Sequence, residues 1–242
     1  MRRIMIALLA MFALVLTVAA PKSLGAQTMN MVRVMHASPD APAVDIYVNG
    51  QRVLADVPFF SYSGYLSLPD GTYQVAITPA GESTDDAVLV GDLTVEGGYI
   101  GTIAAVNTLD NFEVILYDDD ISPMAAGTSR VRIIHASPDA PTVDIKVAGT
   151  STVVVGDVSF PQYATLNGVP AGTYAFDISP AGSTDVAFTT PDLRFEQGWT
   201  YTLIATGLFD EGGFWVQSRV DNVAEPLAAA GFGNGTAKFV QR

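Results

Sequence analysis

Only two histidines occur in the 242 residues, and both stand in the same surroundings. His36 is followed by Ser38, Asp40 and Asp45, and His135 by Ser137, Asp139 and Asp144. Each set lies in one eleven-residue phrase, His-Ala-Ser-Pro-Asp-Ala-Pro-x-Val-Asp-Ile, stated twice with a single difference, Ala43 against Thr142. An imidazole with a hydroxyl and carboxylates close by in sequence is the raw material of two chemistries. A serine nucleophile needs a histidine base, a third group to orient that base, and an oxyanion hole. A divalent cation needs several hard oxygens gathered on one side. The candidate for that is the triplet Asp118, Asp119 and Asp120, alone as a weak Ca²⁺ site or joined by His36 and Asp40.

Neither signal is dense. The chain has no Gly-x-Ser-x-Gly elbow and no Asp-x-Asp-x-Asp-Gly loop, and nothing in it marks an orienting group or an oxyanion hole. Carboxylates are plentiful enough for glycoside hydrolysis, but nothing selects a pair. The absence of cysteine removes thiol nucleophiles and thiolate metal sites. No catalytic residue is assigned, and no cofactor beyond the weak Ca²⁺ candidate. The phrase reads instead as a turn locked by two prolines. In that reading the Ser and Asp side chains accept hydrogen bonds from backbone amides, and each histidine donates to a loop carbonyl. A separate candidate is the aromatic run Phe59, Phe60, Tyr62 and Tyr65, of which the second copy keeps Phe160 and Tyr163. Alternate members of such a run fill the core, and Phe60, Tyr62 and Tyr65 are the candidate platform for sugar or peptide.

The elements that would position these groups follow from period-two patterning. Val32, Val34 and His36 share one face of a strand, as do Val131, Ile133 and His135. On the returning strand Val44, Ile46 and Val48 point to the same core, which sends Asp45 outward to pair with Arg33, and Asp144 likewise to pair with Arg132. Asn49-Gly50 is a hairpin signal. The pairs Pro69-Asp70-Gly71 with Pro170-Ala171-Gly172, and Pro79-Ala80-Gly81 with Pro180-Ala181-Gly182, supply turns at matching places. Short strands, turn signals every eight to twelve residues and no helical period predict an all-β chain: two tandem immunoglobulin-like or transthyretin-like antiparallel β-sandwiches. The expected divisions are a signal segment over 1–26, repeat 1 over 27–120, a flexible linker over 121–129, repeat 2 over 130–222, and an Ala/Gly-containing tail over 223–242.

Met1-Arg2-Arg3 followed by the apolar run Ile4 to Ala20 reads as a secretory signal helix with cleavage after Ala26. An uncleaved anchor through the same segment is the competing reading, and the one route by which the chain would meet a membrane. Formal charge is −13, and loss of Arg2, Arg3 and Lys22 leaves 9 basic against 25 acidic residues, or −16. Such a chain repels nucleic acid. The acid is concentrated in the first repeat, with 2 basic and 14 acidic residues from Gln27 to Ser122. The repeated phrase, with Pro-x-Gly-Thr-Tyr and Pro-Ala-Gly after it, resembles the bacterial domain-of-unknown-function 4397 family over nearly all of Met31 to Asn222. The resemblance implies an exported, often duplicated β-sandwich of cell surfaces or secreted proteins, and carries no activity, cofactor or catalytic residue with it. The functional expectation is an exported, non-catalytic binding or scaffolding module, secreted, periplasmic or on the cell surface. Its partner would be an envelope protein or a polysaccharide. Carbohydrate or peptide binding through the repeat 1 aromatics, and a secreted hydrolase, are the two alternatives.

Overall fold

The computed structural model describes residues 28–221 and 235–242. The signal segment and most of the tail therefore lie outside the described residues. Within them the chain is all-β, with two single-turn 3-10 segments as its only helical structure. The first unit holds nine strands: β1 (Met29–His36), β2 (Val44–Val48), β3 (Gln51–Val57), β4 (Ser61–Tyr62), β5 (Leu66–Pro69), β6 (Gly71–Pro79), β7 (Leu89–Glu96), β8 (Ile100–Val106) and β9 (Glu113–Asp118). The second holds β10 (Thr128–His135), β11 (Val143–Val147), β12 (Val153–Val158), β13 (Tyr163–Pro170), β14 (Gly172–Tyr174), β15 (Phe176–Pro180), β16 (Phe188–Thr189), β17 (Leu193–Phe195), β18 (Thr200–Thr206) and β19 (Trp215–Val220). A last strand, β20 (Thr236–Gln241), follows near the C-terminus.

One sheet of the first unit runs β4-β1-β8-β9 with β5 also on β1, and the other runs β20-β7-β6-β2-β3. The second unit repeats the plan as β13-β10-β18-β19 and β12-β11-β15-β16, with β14-β17 split off as a pair. The split has a local cause. Pro191 has no amide to donate to a ladder, and Thr190 turns both its amide and its hydroxyl to Phe176, ending the pairing there. The expectation of wholly antiparallel sheets is corrected: β1 runs parallel to β8, and β10 parallel to β18. Alternation of apolar residues marks which face of a strand is buried and carries no information on the direction of its neighbour.

Each unit has its own apolar core between its sheets, from Val32, Val34, Val44, Ile46 and Ile77 in the first and Val131, Ile133, Val143, Ile145 and Ile178 in the second. A third core joins the units. Met35, Ala37, Ala104, Val106 and Tyr117 of the first pack on Ile134, Ala136 and Ile204 of the second. The inner sheets are therefore buried on both faces, which explains the unbroken burial of Thr200–Thr206 along β18. Two further ties weld the assembly. The segment expected to be a flexible linker is held by Arg130, which donates to the carbonyls of Asp120 (2.6 Å) and Ser122 (3.0 Å). And β20 returns from the far end of the chain to pair antiparallel with β7 of the first unit, laying Phe239 against its core. Gly91 makes that approach possible, because a Cβ there would collide with the Phe239 ring.

Candidate functional site

The histidines and aspartates of the repeated phrase each bond backbone groups, whereas the serines do not accept from amides as expected: Ser38 Oγ is buried without a partner among the described residues and Ser137 Oγ donates. His36 is wholly buried, and its Nε2 donates to the Pro42 carbonyl at 3.0 Å; His135 does the same to Pro141 at 3.1 Å. The bond closes the proline turn on itself and fixes the proton on Nε2. Asp40 accepts from the Leu109 amide at 2.8 Å, and Asp139 from the Phe209 and Asp210 amides at 2.7 and 3.0 Å, so each pins the loop before the last strand of its sheet. Ser137 donates to the Gly207 carbonyl at 2.7 Å; neither Ser38 Oγ nor Ser137 Oγ is bonded to its histidine. Asp45, 1 % exposed, accepts from the amides of Asp56 (2.8 Å) and Gly81 (3.1 Å), and Asp144 from those of Asp157 (3.0 Å) and Gly182 (2.9 Å). Asp56 and Asp157 are the positive-φ residues of a bulge, at 53° and 56°, where the amide leaves the ladder and needs another acceptor. The Asp of the phrase and the Gly of Pro-Ala-Gly recur together because one binds the other.

The pairing of Arg33 with Asp45 expected from strand parity is corrected: Asp45 takes Arg52 at 2.9 Å, and Arg33 turns to the other unit. Arg33 Nη1 donates to Asp221 at 2.6 Å, and Arg132 Nη1 to Asp119 at 2.6 Å, so each repeat's arginine holds an aspartate of the opposite repeat. Thr102 and Thr202 complete the arrangement, each accepting from its own unit's arginine Nε and donating to its own unit's aspartate. The two charges of each sign are 3 to 8 % exposed and cancel. Burial works to lower the basicity of Arg33 and Arg132, but Asp119 and Asp221 outweigh it and hold both above the usual guanidinium range. Burial works to raise the Asp221 pKa, and its bond from Arg33 and the guanidinium charges bring it below the usual carboxylate range. Beside this quartet is a void of about 20 Å³, room for roughly one water.

The aromatic candidates are drawn into the same interface. Tyr65 donates to Asp119 at 2.5 Å, and its ring lies 5.0 Å from the Arg33 guanidinium. The Tyr62 ring is covered by Arg219 at 4.1 Å and Arg33 at 5.4 Å. Phe60 packs on Trp215 of the second unit, with ring centroids 4.9 Å apart. The three do not form one exposed platform. The aspartate triplet does not converge either: Asp119 is inside the quartet, while Asp120 is half-exposed, paired with Arg130 at 3.1 Å and capping the Ser122 amide. Among the described residues no three His, Asp or Glu side chains gather as a metal would require. Thr102, Thr202 and Asp221 were absent from the expected sites. The available signal was the run Ile100 to Val106, whose apolar residues Ile103 and Ala105 alternate with Ala104 and Val106, marking both faces for burial.

The buried histidines set an acid limit on stability. Burial lowers the pKa of His36 and of His135, against a smaller opposing effect of the Pro42 and Pro141 carbonyls. The unfolded chain then binds these protons first, so their contribution is complete above pH of about 6.5 and declines as pH falls below it. Asp45, Asp144 and Asp221 have lowered values too, and their contribution is lost at lower pH, below about 4. Urea midpoints measured from pH 8 to pH 3 should show two successive declines. The first should vanish in the double variant His36→Gln, His135→Gln.

These features define a class: a duplicated all-β protein in which a repeated polar phrase fastens turns and a charged quartet fastens the copies. Comparison with protein families matches the domain of unknown function DUF4397 twice, over residues 30–146 and 129–231, and the chain belongs to that family as tandem copies. No curated protein matches it.

Proposed function

We propose that the chain is an exported, non-catalytic binding or scaffolding module of the cell envelope or extracellular space, built from two immunoglobulin-like or transthyretin-like sandwiches held as one rigid body. One observation carries this reading. The groups that would do chemistry are shut inside the structure: each histidine holds its Nε2 proton on a proline carbonyl and is buried, so its basic Nδ1 is out of reach of a substrate, and each quartet aspartate is on at least two guanidiniums. A general base needs a free nitrogen within reach of a substrate proton, and a poised acid needs a cleft. The acidic surface and the leader-like first 26 residues support export, with an envelope protein or polysaccharide as partner. Fractionation of cells expressing the full chain, with N-terminal sequencing of the exported form, tests the compartment, and the expected result is an extracytoplasmic protein beginning at Gln27. A panel of ester, glycoside and peptide substrates tests the rest. Turnover that disappears in His36→Ala while the fold is kept would overturn the reading.

A further inference from the structure

The two units share a plan but not a filling. In the second, Tyr174, Phe176 and Phe195 stack at centroid spacings of 5.6 to 6.3 Å beside Tyr201, and the void between Phe176 and the aliphatic core is about 20 Å³. Matching strand registers put Val75 where the second unit has Phe176, Leu89 for Phe188, Val95 for Phe195 and Gly101 for Tyr201. Tyr99 lays its ring over Gly101 and Phe239 enters from β20, whereas Val75 is left lining open space. What remains between the sheets of the first unit is a cavity of about 250 Å³.

Its walls include Val34, Ile46, Val75, Leu93, Ile103 and Val114, and no charged side chain lines it. The lining reaches from β5 across β1 and β8 to β9 on one sheet, three strand spacings or roughly 14 Å. It also has an entrance. Val53 on the edge strand β3 is 43 % exposed, and Ser67 on β5 is exposed, yet both line the cavity. In the second unit β13 is one continuous strand, whereas β4 and β5 are interrupted at Ser63 to Tyr65, where Tyr65 leaves for Asp119.

We infer that this cavity is a binding site for a neutral aliphatic chain, entering between β3 and β5 with its polar end left in solvent at that mouth. An apolar void of about 150 Å³ stays dry and accepts benzene, so this larger and longer one suits a chain of about eight to ten carbons. A carboxylate head is disfavoured, since no cation lines the cavity and the chain carries a formal charge of −13. The site lies apart from the quartet and stands independently of the partner and compartment proposed above.

The test is titration of the full chain with 1-decanol and with decanoate, followed by calorimetry and by methyl NMR. The expected result is saturable binding of one decanol per chain, tighter than decanoate, with shifts at Val34, Val75 and Ile103 and none at Ile133 or Ile178. Val75→Phe, which installs the ring of the second unit, should weaken decanol more than about tenfold and raise the ligand-free melting temperature by filling the void. Val34→Ile, matching Ile133, is the milder variant should the ring disturb folding, and it should weaken decanol in the same direction. Absence of saturable binding, shifts centred on the second unit, tighter decanoate, or affinity unchanged in both variants would overturn the inference.

Discussion

Asp221→Ala is expected to lower folding stability by about 3–5 kcal/mol, as breaking one partner of a buried ion pair does elsewhere. The reason is what it leaves behind. Arg33 and Arg132, 3 and 5 % exposed, would keep two positive charges against Asp119 alone, and the Thr202 hydroxyl would lose its acceptor while still receiving from Arg132. The loss comes from desolvated charge without a partner more than from the attraction itself, so removing both sides should hurt less. Arg33→Met combined with Asp221→Leu should therefore recover much of what Asp221→Ala loses. Urea denaturation of the two singles and the double, analysed as a cycle, gives the coupling. An Asp221→Ala loss under about 1 kcal/mol would place the quartet among surface ion pairs, which contribute little. Asp119→Ala should behave alike, because the two aspartates hold equivalent places about the interface.

The second large effect is expected from deleting Gly235 to Arg242. That removes six residues of ladder on β7 and takes Phe239 away from the first core. Loss of the ring alone should cost roughly 2–4 kcal/mol, at the lower side of full Phe truncation because Phe239 is half-buried. The Arg242 to Asp92 pair, 56 and 28 % exposed on its two sides, adds little. The deletion has a further consequence that Phe239→Ala lacks. It bares the edge of β7, whose inward residues Leu89, Leu93 and Val95 are buried, and an uncovered flat edge pairs with other chains. Thermal melts should show both variants destabilised, while light scattering should show self-association in the deletion only. A deletion variant as stable and monomeric as the parent would mean that β20 is ornamental.

Much of this was legible in the residues. The positive dihedrals of Asn49 and Gly50, 50° and 77°, are those the Asn-Gly signal calls for. Alternation put Val32 and Val34 inward, and the proline phrase reads directly as a turn closed by its histidine. The faces turned away from the cores were not legible from the same rule. Alternation treats a strand's second face as solvent and so points Arg33 to the outward acid Asp45, although the aspartate it holds at 2.6 Å is 188 residues away. Three features carried the missing information. Met35 and Ile134 are apolar on the supposed outer face, β8 is apolar on both, and the phrase repeats Asp45 beside a Pro-Ala-Gly turn that it turns out to bind. The hollowness of the first core is also written in the chain, as Val75 against Phe176, but only the strand registers reveal that these residues occupy equivalent places.

Both tryptophans, Trp199 and Trp215, lie in the second unit, which lets the two halves be followed separately during one unfolding experiment. Equilibrium urea unfolding watched by tryptophan emission for the second unit, and by amide exchange of β2 and β6 for the first, asks whether the fasteners make one body of two copies. A shared third core and a shared charged quartet predict one coincident transition, which separates into two when Asp119 and Asp221 are both replaced by alanine. Two well-separated transitions in the unaltered protein would contradict it.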